Sequence, residues 1–60
     1  MNKERAENMA RLTAELIAEG FNAYLTVSKY SDLSIKILSD DGSELIQTIN
    51  NPEQAVEILQ

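Results

Sequence analysis

Three carboxylates within five residues, Asp40-Asp41-Gly42-Ser43-Glu44, are the side chains whose type and spacing could do chemistry in this chain. Clustered carboxyl oxygens can hold a hard cation. A helix–loop–helix calcium site, however, spreads its ligands over about 12 residues and ends on a Glu. Here the acids are contiguous and lie between two strand-like segments, which is the pattern of a hairpin turn. General acid–base catalysis draws mostly on His, or on carboxylates enclosed in a pocket that perturbs them. The chain has no His and no Cys, and at 60 residues it has little room for an enclosed pocket. The same absence removes the usual ligands of zinc, haem and iron–sulfur centres. No Ser or Asp has an identifiable partner base. The expectation is a protein that is not an enzyme, with no catalytic residue, metal or cofactor.

The charges are distributed unevenly. All five basic residues, Lys3, Arg5, Arg11, Lys29 and Lys36, stand at or before position 36, where five acids balance them. Residues 37–60 carry Asp40, Asp41, Glu44, Glu53 and Glu57 with no cation, so the formal charge of −5 resides there. Such a field repels nucleic acid and anionic membrane and attracts basic protein surfaces. Its simplest use is solubility. Its sharper use is mimicry, in which carboxylates occupy a channel built for phosphates.

Composition sets the scale. Sixty residues without a disulfide lie near the lower limit for independent folding. A hydrophobic fraction of 43%, rich in Leu and Ile, suffices for a thin core and exceeds that of a disordered acidic tail. The opening Met1-Asn2-Lys3-Glu4-Arg5 leads into a mixed-charge helix rather than an apolar run, and no stretch reaches the roughly 18 apolar residues of a membrane span. A cytoplasmic location is expected.

These charges need elements to position them. Ala6, Met9, Leu12, Thr13, Leu16 and Ile17 recur at helical spacing from Lys3 to Glu19, with Lys3, Glu7, Arg11 and Glu15 at successive i,i+4 positions on the exposed side. Gly20 suits the left-handed position after the helix, with Phe21 folding back on its last turn. Phe21 to Ser28 alternates as a strand, with Phe21, Ala23, Leu25 and Val27 on one face. Lys29 to Asp32 reads as a short connection. Leu33, Ile35 and Ile37 mark a second strand, and Leu45 to Ile49 a third. Asn51 as N-cap, Pro52 as first helical residue, Glu53 at the positive dipole end and Gln54 completing a capping box announce a final helix.

The turn residues predict a register. Gly42 in the left-handed position of a three-residue loop would set Ser39 opposite Ser43, Ile37 opposite Leu45 and Leu33 opposite Ile49 on the inner face. Gln47 would point inward opposite Ile35, and Ile46 outward beside Lys36. A one-residue slip would bury Ile46 and Thr48 instead.

The predicted fold is α+β: one domain over residues 1–60, ordered α-β-β-β-α, with an antiparallel three-stranded meander and both helices on one face. The other face would expose Tyr24, Thr26, Ser28, Ser34, Lys36, Leu38, Ile46 and Thr48, more apolar surface than solvation requires. This order resembles the double-stranded-RNA-binding domain and the small toxin of the HicA type. RNA binding on that layout implies Lys or Arg at the start of the second helix. Asn51, Pro52, Glu53 and Gln54 stand there instead, and the toxin's histidine is absent. No direct nucleic-acid contact is expected.

In size, acidity and layout the chain is similar to small inhibitors encoded by phages and mobile elements, acidic anti-CRISPR proteins among them. The resemblance implies a non-enzymatic, protein-binding inhibitor of anti-CRISPR or anti-restriction type. Its partner would be the basic surface of a bacterial nucleic-acid-processing protein, blocked by charge mimicry. Asp40, Asp41, Glu44, Glu53 and Glu57 would steer the encounter, and Tyr24, Tyr30 and Leu38 would supply contact area. The alternative is a homo-oligomeric structural or adaptor module, such as a homodimer that hides the open sheet face, whose acidity serves only solubility.

Overall fold

Leu33, Ile35 and Ile37 alternate along one strand and all three are buried, so the core is built outward from that strand. In the computed structural model, which describes residues 2–60, the strand is the middle one of three. Helix α1 spans Lys3–Ala18, strands β1, β2 and β3 span Asn22–Val27, Leu33–Leu38 and Leu45–Ile49, and helix α2 spans Pro52–Leu59. The sheet is an antiparallel meander in the order β1-β2-β3. Helix α1 packs on β1 and β2, and α2 packs on β3 and against α1. Both helices therefore cover one face, as their amphipathic patterns require. Met9, Leu12 and Leu16 of α1, Ile49 of β3 and Ala55 of α2 close the core over β2.

The end of α1 and the cap of α2 follow the chemistry that the sequence announces, while the start of α1 has a cap not expected from the sequence. The Asn2 side chain accepts the Arg5 amide at the start of α1. At its end the Phe21 amide donates to the Leu16 carbonyl and the Gly20 amide to Ile17, with Gly20 at φ 101°. That is the Schellman pattern, which only glycine enters without strain. Thr13 is buried within α1 because its hydroxyl donates to the Met9 carbonyl at 2.7 Å. Asn51 caps α2 by accepting the Gln54 amide. Gln54 reaches back to the amide of Asn50, one residue before the cap, rather than to that of Asn51.

The β2–β3 register differs from the predicted one. Ile35 stands opposite Ile49, Lys36 opposite Thr48 and Ile37 opposite Gln47, a two-residue shift from the expected pairs Ile37–Leu45 and Leu33–Ile49. Gln47 keeps the parity of the inner face but faces Ile37 rather than Ile35, and it remains exposed. The loop is wider than three residues. It runs from Ser39 to Glu44, and the Ser39 amide donates to the Glu44 carbonyl rather than pairing with Ser43. Gly42 does take the left-handed conformation, at φ 78°.

A bulge follows the loop. Between Ile37 and Leu38 the register shifts by one, leaving Leu45 and Ile46 together opposite Leu38. Leu45, expected on the inner face, is 56% exposed beside Ile46 at 61%. The physical reason lies in side-chain hydrogen bonds within the loop, which stabilise the wider closure and which turn-type preferences do not register.

Strand β1 ends at Val27, one residue short of the expected Ser28. Ser28 instead organises the β1–β2 turn, where its hydroxyl accepts the amides of Tyr30 and Asp32. Ser31 takes a left-handed φ of 65° in that turn.

Candidate functional site

The β2–β3 loop closes on its own side chains. One carboxylate oxygen of Asp41 accepts the Ser39 hydroxyl at 2.9 Å and the Ser43 amide at 2.9 Å. The Ser39 hydroxyl in turn accepts the Glu44 amide at 3.1 Å, and Asn22 on β1 donates to the Ser39 carbonyl. Donation from the Ser43 amide, followed by the hydroxyls of Ser43 and Ser39, lowers the Asp41 pKa from 3.8 to about 2. Asp41 is thus spent on holding the loop. Asp40 and Glu44 remain exposed at the tip, in no ion pair among the described residues.

The loop borders an apolar patch. Leu38 leads into it from β2, and Leu45 and Ile46 leave it on β3, all on the sheet face that the helices do not cover. Next along that face Lys36 lies between Tyr24 on β1 and Thr48 on β3, and its ammonium donates to the Thr48 hydroxyl at 3.1 Å. Tyr24 stands exposed at the far side of this row. Of the residues that the sequence singles out, the structure brings together Asp40, Asp41, Glu44, Leu38 and Tyr24. Leu45 and Ile46 belong with them. Ile46 was legible as outward-facing, but Leu45 was not, because only the bulge turns it out.

The other three lie elsewhere. Tyr30 sits in the β1–β2 turn, at the opposite end of the sheet from the acidic loop, with the Lys29 ammonium 5.2 Å from its ring centroid. Glu53 and Glu57 are on α2, in the helical layer. There they share shallow depressions with residues of α1: Glu53 with Glu4, Arg5 and Arg11, and Glu57 with Arg11. Arg5 also donates to the Asn50 carbonyl, tying α1 to the segment before α2. The five acids of residues 37–60 therefore do not form one field. The two on α2 lie in the helical layer, where Arg11 is ion-paired with Glu15 at 3.2 Å, and those at the hairpin tip lie at one end of the sheet.

Among the described residues, no group of three or more carboxylates is arranged to hold a metal ion. No helix among them is long and apolar enough to cross a membrane. The chain matches no family model, no curated protein and no solved structure. What the arrangement offers chemically is a surface: apolar contact area on an open sheet, edged by carboxylates at one end.

Proposed function

We propose that this chain is a non-enzymatic, cytoplasmic protein-binding module that docks the open face of its sheet on a basic surface of a nucleic-acid-handling protein and blocks it. The observation that carries the reading is the juxtaposition of Leu38, Leu45 and Ile46 with Asp40 and Glu44 at one end of that face. Apolar side chains supply contact energy, and carboxylates at the rim accelerate encounter with a positive partner. The mimicry belongs to the hairpin, because Glu53 and Glu57 lie in the helical layer beside α1.

The test starts with a pull-down from bacterial lysate at low and moderate salt, followed by a nucleic-acid-binding assay on whatever is recovered. The reading expects a basic protein whose nucleic-acid binding is lost when the chain is added. The variant Asp40→Asn/Glu44→Gln leaves Asp41 to close the loop and should bind more slowly, with a flatter salt dependence. An Ile46→Lys variant should lose the partner. Recovery of a partner that holds both variants as well as the original chain would sink the proposal, as would a partner whose nucleic-acid binding is unaffected.

A further inference from the structure

The sheet has two edges, and they are not equivalent. The β3 edge is broken by the bulge at Leu45 and Ile46. Strand β1 pairs with β2 without interruption from Asn22 to Val27 and contains no Pro and no charged residue. Its outer row of N–H and C=O groups carries none of the devices that normally discourage another strand from adding. Three apolar side chains lie exposed along it: Phe21 at 38%, Tyr24 at 47% and Val27 at 53%.

Helix α1 extends this uncharged strip. Asn8, Arg11, Glu15 and Ala18 line depressions shared with α2, so they mark the α2 side of the helix. Met9, Leu12 and Leu16 face the sheet. At about 100° per residue, the flank opposite α2, above the β1 edge, falls to Ala6, Ala10, Thr13 and Ile17. None of these is charged, and Ile17 is 53% exposed.

We propose that β1 is the seat of a symmetric dimer, in which two copies add their β1 strands antiparallel to form one six-stranded sheet. The self-complementary apolar strip points to a second copy as the occupant, and charge permits it there. Each chain carries −5, so two copies can approach closely only where neither presents an acid, and the β1–α1 flank is such a surface. Strand parity restricts the register, and the overlap of the exposed Phe21 and Val27 chooses among the registers that remain. Inner residues must meet inner residues, and centring the pair on Tyr24 places Phe21 against Val27 of the partner subunit twice over, with Ala23 against the partner's Leu25. The small residues Ala6 and Ala10 let the two α1 helices lie side by side above the joined strands. The open faces then form one surface with an acidic hairpin toward each end.

Because the chain has no cysteine, single cysteines report this register cleanly. Tyr24→Cys brings two thiols opposite each other at a Cα separation of about 4.5–5.5 Å, within disulfide range. Thr26→Cys leaves them roughly 13 Å apart, four residues along the strand. The expected results are a sedimentation mass twice that of one chain, complete oxidative crosslinking of Tyr24→Cys and none of Thr26→Cys. Mixing Asn22→Cys with Thr26→Cys should restore the crosslink. Val27→Lys, at an exposed position, should halve the mass with an unchanged circular dichroism spectrum. A monomeric original chain with no Tyr24→Cys crosslink would overturn the proposal. So would a dimer that survives Val27→Lys but dissociates on Ile46→Lys, since that would move the interface to the open face.

Discussion

At the residue scale, Asp41 illustrates how a fully exposed carboxylate becomes structural. The fold favours its charged form, since the carboxyl pKa is held at about 2 against an ordinary 3.8. Its contribution is therefore complete above pH 3.8 and is lost as pH falls through about 2. An NMR titration should show the Ser43 amide, its direct donor, following a transition near pH 2. A transition at the ordinary aspartate value would mean that the loop is not closed in this way. Gly20 and Gly42 are the other decisive single residues. A Cβ at Gly20 meets no atom, so the cost of Gly20→Ala is purely conformational, about 1–2 kcal/mol from the positive φ. Gly42→Ala should cost a similar amount. Chemical denaturation would measure both, and a neutral Gly20→Ala would refute the Schellman ending of α1. Both glycines were legible from sequence because glycine takes a positive φ at least cost. Asp41 was legible only as an acid in a turn, since its bonding to Ser39 and Ser43 depends on the loop's full path.

At the element scale, the bulge in β3 separates residues that alternation alone would have grouped. Leu45, Gln47 and Ile49 share a parity, but the bulge turns Leu45 out, while Gln47 keeps the inner parity and is nevertheless exposed. Only Ile49 is buried. Ile49→Ala and Ile35→Ala should each cost about 2–5 kcal/mol, enough to unfold much of a domain this small. Leu45→Ala and Ile46→Ala should each cost within about 0.5 kcal/mol. A costly Leu45→Ala in a denaturant series would return that side chain to the core and restore the shorter hairpin. Helices α1 and α2 were almost fully readable, because capping and 3.6-residue periodicity are local signals. The register of β3 was not, because it depends on a loop closure that competes with turn preference.

At the scale of the whole molecule, the acids of residues 37–60 part company. Chain order places Glu53 and Glu57 in the same cation-free stretch as Asp40 and Glu44. Folding lays α2 against α1, so Glu53 and Glu57 come to share a depression with Arg11 in the helical layer, away from the open face that Asp40 and Glu44 border. Neutralising the helix pair with Glu53→Gln/Glu57→Gln should therefore leave the association rate with a basic partner nearly unchanged. Neutralising Asp40 and Glu44 should slow it, most visibly at low salt, where the screening length exceeds its physiological value of about 8 Å. Stopped-flow kinetics across a salt series would decide this. Equal slowing by both variants would show that the acids act as a single field.

The sequence by itself determined the order of elements, the layer of helices over one sheet face, the helix stops and the absence of His and Cys chemistry. Those properties follow from periodicity, caps and residue inventory, all of which act over a few neighbouring positions. Only the tertiary structure decided which strand edge is left uninterrupted, that Leu45 joins Leu38 and Ile46 on the open face, and which acids lie beside that face. Each of these depends on where distant segments come to rest. A loop closing between Ser39 and Glu44 shifts every residue of β3, and a helix packing beside another makes Arg11 and Glu57 line one depression from opposite ends of the chain.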